Sequence, residues 1–436
     1  MKKVFKFVVV FILLIVAFNL FLLLGSLFPS ALIENNVKES SQILMREGNI
    51  YKFFEFYNVE NNNYTDSLMI NEAYSIDNTN PFYSYMTVRK NYKEGQTKNN
   101  LCDNLGEGIS MNNKEEYDPV GELEEFIHGN IDTSMNYARY WHGYLPILRT
   151  MLIFFNISEI RMFLLLVFIM LFIYLMYLLK NKLGSKIALV FAIALLIEDY
   201  FFVSYSLESS SIFIVMMISC IILLKRIDKI KDWYMYIFII ASIANFVDYL
   251  TVPLITLAMP LYIYILYNQR KNKELIWTDY LKLIIKSSII WFLGYTLTWL
   301  SKWIIYDIML REGLIESAIT QVLYRTTRTN IKTNRTLGET IISILLDKIF
   351  LVSIIFYAVI IYCVLFNLKI KIKDKKAFII ENIPFLIISL MPFAWYVALA
   401  NHTILHEFFV YRHLLVFFTG GFICANNLCV IKKENE

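Results

Sequence analysis

FKFVVVFILLIVAFNLFLLLGSL, residues 5–27, decides what kind of protein this chain forms. Its one charge is Lys6, and its one amide is Asn19. A hydrocarbon core of ~30 Å takes roughly 20 helical residues to cross, so the run is long enough to span it. It is also longer than the apolar region of a typical signal peptide. We read it as an uncleaved anchor, residues 1–29, while Ser30-Ala31 after Pro29 leaves cleavage open.

Nine further apolar runs follow, at about 161–179, 187–206, 209–224, 234–250, 251–268, 283–304, 341–367, 379–399 and 414–431. Of the 436 residues, 57% are hydrophobic and 18% charged, against about 25% charged in soluble domains. A soluble core of this length could not hide so much apolar surface, whereas lipid can. The aromatic share of 16% suits interfacial belts of Tyr and Trp. The expectation is an all-α polytopic membrane protein of about ten transmembrane helices, with a large extracytoplasmic loop between the first and second.

Charge sets the orientation. Met1–Lys6, Lys180–Lys186, Lys225–Lys231, Arg270–Lys282, Lys369–Lys376 and Lys432–Lys433 hold about half of the 41 Lys and Arg. Every second connection is therefore basic, as cytoplasmic loops are. A basic segment at each end requires an even number of crossings. The expected location is the cell membrane, multi-pass, with both termini cytoplasmic. Cys102 stands alone in the outer loop, and Cys220, Cys363, Cys424 and Cys429 fall in apolar runs, so an intrachain disulfide framework is not expected.

Residues 30–149 form the extracytoplasmic loop, in which acids outnumber bases by almost two to one. Aromatic-bearing stretches (Ile50–Tyr57, Met69–Tyr85) predict a small helical cap, since disordered linkers lack that content. Residues 150–436 form the multispan domain, with a second, basic outer loop at 305–340 carrying Arg311, Arg325, Arg328, Lys332 and Arg335.

Ionisable residues at membrane rims are costly and so mark function. Glu198 and Asp199 near the third run, Glu208 before the fourth, Asp248 between the fifth and sixth, Lys302, His402, His406 and Arg412 all fall on the outer side. Arg139, Trp141 and His142 bring a cation, a stacking surface and a titratable group to the same interface; an aromatic anchor with a snorkelling Arg is the alternative. At about 100° per residue, His402, His406, Phe409 and His413 share one helical face. His402 and His406 could hold a divalent metal, although their order is not the His-Glu-x-x-His of zincins. Anion recognition by Arg412 is the preferred reading, because a guanidinium offers phosphate two hydrogen bonds at once. Asp248 could be catalytic or could cap the following helix.

The runs Arg-Tyr-Trp-His-Gly-Tyr (139–144), Asn-Phe-Val-Asp-Tyr-Leu-Thr (245–251) and Asn-His-Thr-x-x-His-x-Phe-Phe-x-Tyr-Arg (401–412), with the even-numbered body and large first outer loop, resemble the GT-C class of integral membrane glycosyltransferases. The resemblance implies a polyprenyl-phosphate-linked sugar donor, an envelope glycan or glycolipid acceptor, an outward site and a carboxylate base in the first outer loop. The candidate substrate-binding residues are Arg139, Trp141, His142, Glu198, Asp199, Arg325, Arg328, His402, His406 and Arg412, and Asp77 and Asp248 are the candidate catalytic carboxylates. The Asp-x-Asp pair is missing; Glu34, Asp66, Glu72 and Asp77 are the candidate bases, and Asp77 is preferred. Membrane lipids are the other expected partners; no cofactor beyond a divalent metal and no nucleic acid is expected. A transporter or flippase of lipid-linked saccharides, or a polymerase acting on them, is the rival reading.

Overall fold

The structure is a computed structural model that describes residues 2–53, 59–92, 118–131, 133–272, 276–327, 335–365, 368–372 and 375–433. Arg328 and Cys102 lie outside these residues. Of the described residues, 79% are helical. Among the described residues, six helical stretches are long and apolar enough to cross a membrane: Val4–Leu24, Ile157–Leu183, Leu207–Arg226, Trp277–Leu310, Ile379–Ala398 and Glu407–Asn427. These apolar helices mark the chain as a membrane-associated protein.

The ten apolar runs are helical for most of their length, but not every helix is long enough to cross on its own. Ser185–Ile197 has 13 residues and Trp233–Val247 has 15, about 20 and 22 Å at 1.5 Å per residue, short of a ~30 Å core. Each stops at an acid. Glu198 closes the first of them and Asp199 turns left-handed at φ 56, and Asp248 closes the second. Starts are equally legible. Asn156 and Glu159 form a reciprocal capping box at Ile157, and Ser206 Oγ accepts from Ser209 N at 3.3 Å, satisfying donors that a helix start leaves orphaned.

The segment expected to be one helix over 402–413 is broken. Ala400–Leu405, Glu407–Val410 and a 3-10 turn at Tyr411–His413 precede Leu414–Leu428. His413 therefore leaves the face shared by His402, His406 and Phe409, and its ring packs on Trp395 at 5.4 Å instead.

Between the first two spans lie Glu34–Glu47, Asn63–Tyr74, Pro81–Thr87 and Pro119–Ile127. Two short antiparallel pairs join them, Ile50–Lys52 with Glu60–Asn62 and Arg89–Asn91 with Ser134–Asn136. Arg149, fully buried, ties this region to the first span. Its guanidinium donates to the carbonyls of Gly25 (2.9 Å), Phe28 (3.0 Å) and Ala73, and to Ser30 Oγ (3.1 Å).

The basic connecting segments gather at the opposite end. Asp228 meets Lys182 at 3.0 Å and Lys271 at 3.2 Å, and Asp232 meets Lys6 at 3.4 Å. Leu368–Ile372 pairs antiparallel with Cys429–Lys433.

Candidate functional site

Several short helix ends turn towards the 30–149 region and carry the acids and cations of that rim. Leu207 N donates to Asp66 Oδ1 at 2.9 Å, and Asn62 Nδ2 donates to Glu208 Oε2 at 3.1 Å. Asp66 is itself held by Arg161 at 3.1 Å, while the other guanidinium arm grips Glu47 at 2.8 Å. The loop region is thus pinned to the spans by buried charge pairs, whose loss on either side strands the partner.

A pocket opens at this seam. Ile50, Glu60, Asn61 and Asn62 line one side, and Ser206, Glu208, Phe408, Phe409 and Arg412 the other. Arg412 Nη1 donates to Ser209 Oγ at 3.3 Å, and its guanidinium lies 4.9 Å from the centre of the Tyr411 ring. Its charge faces both Glu208 and Glu198. The enclosed volume is about 20 Å³, room for one water and not for a sugar ring.

Behind Arg412 sits a buried ionic group. Lys348 Nζ contacts Asp199 Oδ2 and lies 4.5 Å from the Tyr411 ring centre. Tyr411 OH donates to the same Asp199 oxygen at 3.3 Å. Glu198 is fully buried, and neither of its oxygens has a hydrogen-bond partner; Lys348, Asp199 and Arg412 are the charges acting on it.

A second buried cluster joins the loop region to the spans. His142, at φ 55, sits with Nδ1 3.2 Å from Glu72 Oε2, both side chains fully buried. Tyr249 OH donates to that oxygen at 2.6 Å, and Tyr144 OH donates to it as well. His142 Nε2 lies 2.7 Å from Tyr137 O. The left-handed turn at His142 depends on Gly143, whose N–H donates to Phe246 O at 2.8 Å. A Cβ on Gly143 would stand 2.5 Å from that oxygen.

The remaining candidates fall in different places. Asp77 is exposed, and its carboxylate accepts from Thr79 N (2.8 Å) and Thr79 Oγ1 (2.8 and 2.9 Å). Those donors hold its pKa below the usual carboxylate range, the wrong direction for a general base near neutral pH. The structure thus separates Asp77 from the buried clusters. Asp248 is buried and accepts from Thr251 N at 3.1 Å and Thr251 Oγ1 at 2.5 Å, a turn-fixing arrangement, although its charge also faces Glu208. Trp141 is fully buried, its indole donating to Thr298 O at 2.7 Å. It is a core residue, not an exposed stacking surface. Arg139 and Arg325 line a separate cleft with Tyr140 and Trp299. His402 Nε2 lies 3.1 Å from Leu250 O, and its ring stands 4.6 Å from that of His406. Among the described residues no three His, Cys, Asp or Glu side chains form a metal-binding group.

Sequence reading left Glu208 outside the preferred set and passed over Lys348. Lys348 was detectable as a cation inside an apolar run. Glu72 stood among four first-loop acids that nothing local distinguishes; its partners Tyr144 and Tyr249 lie 72 and 177 residues away.

Comparison with protein-family models, curated proteins and solved structures gives no match to this chain.

Proposed function

We propose that this chain is a membrane glycosyltransferase, transferring a sugar from a polyprenyl-phosphate-linked donor to a cell-envelope acceptor at the outer membrane face. One observation carries the reading: Glu208 and Arg412 line a single pocket at the seam between the loop region and the spans. Glu208 accepts the proton of the acceptor hydroxyl as the new O–C1 bond forms. The C1–O–phosphate bond breaks, and its electron pair leaves with the lipid phosphate. Arg412 stabilises the departing phosphate, which gains a second negative charge, more strongly than the singly charged diester of the ground state. Glu208 takes the role that sequence reading gave to Asp77.

The pocket is too small for a sugar as it stands, so donor binding requires the paired strands Ile50–Lys52 and Glu60–Asn62 and the Phe408–Phe409 turn to part. The same reading takes the chain across the membrane ten times with both termini inside. The six long helices, the meeting of the basic segments at one end, and the acids, Arg412 and the loop region at the other support it.

One observation favours a second reading, transport or flipping of lipid-linked saccharides. Lys348 and Asp199 pair in the apolar interior, where charge is kept for relays and pathways. Sugar transfer by purified protein from a polyprenyl-phosphate donor separates the two. A transferase consumes the donor in detergent, where no second compartment exists, and Glu208→Gln abolishes turnover while retaining donor binding. Movement of intact donor across proteoliposomes without transfer supports the transporter.

A further inference from the structure

A second cleft, away from the Glu208–Arg412 pocket, lies between the Trp277–Leu310 and Leu314–Thr326 helices. Arg139, Tyr140, Gln321 and Arg325 supply its polar lining, and Trp299 and Trp303 its wall. Arg325 Nη2 donates to Tyr140 OH at 2.7 Å. The two indoles donate to Arg139 O at 2.6 and 2.9 Å, which fixes the chain carrying that guanidinium. Gln321 is 4% exposed, and both its amide nitrogen and its amide oxygen are buried without a hydrogen-bond partner. An orphaned buried amide is costly, and it faces the same cleft as two guanidinium groups.

The outside of this cleft is apolar. The Leu314–Thr326 helix turns Ala318, Gln321 and Arg325 inward, sets Val322 at the cleft's edge, and leaves Ile319 and Leu323 at 50% and 62% exposure beside exposed Glu316, Thr320 and Thr326. That is the pattern of a helix lying in the plane of a membrane interface. On the neighbouring Trp277–Leu310 helix, Ile304 and Ile308 are also exposed, at 40% and 73%. Cations and an amide inside, with acyl-compatible surface outside, match the two ends of one molecule.

We infer that this cleft binds the phosphodiester headgroup of an anionic phospholipid, whose acyl chains lie along Ile304, Ile308, Ile319 and Leu323. Arg139 and Arg325 hold the phosphate oxygens by charge-assisted hydrogen bonds, and the Gln321 amide donates to the same headgroup. The cleft encloses about 10 Å³, room for about one water, so the headgroup enters only when the Leu314–Thr326 helix parts from the Trp277–Leu310 helix. This site is independent of the proposed transfer reaction and requires none of its residues.

The test uses full-length protein, delipidated in neutral detergent and titrated with dioctanoyl phosphatidylglycerol, with dioctanoyl phosphatidylcholine, or with inorganic phosphate alone. Bound lipid is read by native mass spectrometry. Both lipids carry the phosphodiester, but the choline cation of phosphatidylcholine would face the two guanidinium groups, so the wild type is expected to prefer phosphatidylglycerol by about tenfold. Arg325→Gln reduces that preference to about threefold or less. Because Arg325→Gln also removes the bond to Tyr140, Gln321→Glu serves as a second variant. It leaves that bond in place and sets a carboxylate before the phosphate, so it too loses the preference. Equal binding of the two lipids, a preference untouched by Gln321→Glu in folded protein, or displacement of phosphatidylglycerol by millimolar inorganic phosphate overturns the inference.

Discussion

Replacing Arg149 with Met keeps an unbranched apolar stem and removes the guanidinium that joins the first span to the loop region. Four donated hydrogen bonds disappear, to Gly25 O, Phe28 O, Ala73 O and Ser30 Oγ, along with the contact 5.2 Å from the Phe28 ring centre. Bonds from a charged donor contribute about 1.5–3 kcal/mol each, or about 6 kcal/mol for four at the low end. Burying the cation costs several kcal/mol in opposition, so the net loss is about 3 kcal/mol. Unfolding entropy near 2.1 cal/mol/K per residue converts this loss to about 3 °C if the whole chain melts together. If the 30–154 region melts as its own unit, the smaller entropy makes the shift about 10 °C. Tryptophan-fluorescence melting in detergent measures it, and limited proteolysis tells which segment opens first. Arg149→Lys, with the charge but not the fork, falls between. A melting point within about 1 °C of wild type, with an unchanged cleavage pattern, refutes the claim that Arg149 fastens these parts.

Lys348→Met strands the Asp199 carboxylate in the interior, at about 3–5 kcal/mol. Adding Asp199→Asn, which tolerates the left-handed backbone there, recovers most of the melting temperature; no recovery contradicts the pairing. At the opposite end, the Tyr267 hydroxyl, Lys182 and Lys271 hold the Asp228 carboxyl below the usual range. Its stabilising contribution is therefore present above the unfolded value near pH 4 and lost as pH falls through the lower folded value. Asp228→Asn accordingly flattens the acid limb of a melting-temperature profile below about pH 4, and an unaltered limb counts against this. Asp77→Asn changes only bonds to Thr79, so sugar transfer stays within about twofold of wild type; abolished transfer would return the base to Asp77.

Local pattern carried the helices, because apolar length and capping residues act over one or two turns. Ser206, Asn156 and the basic loop segments are readable on that scale. The site was legible only as a rim. Counting crossings places Glu198, Asp199, Glu208 and Arg412 on one side of the membrane as an expectation, and the structure brings these four residues near one another. Which acid meets which cation was hidden, since Lys348 and Asp199 are 149 residues apart and Glu72 reaches Tyr249 across another helix. The 402–413 face failed for a different reason. A period of about 3.6 residues assumes an unbroken helix, and the chain breaks at His406 and Tyr411.

The central claim, that the Glu208–Arg412 pocket performs sugar transfer, is tested most directly by following a polyprenyl-phosphate-linked sugar with purified wild-type and Glu208→Gln protein. The account predicts donor consumption by the wild type and none by a folded Glu208→Gln variant that still binds donor. Equal turnover by both proteins, or none by either under conditions where donor binds, contradicts it.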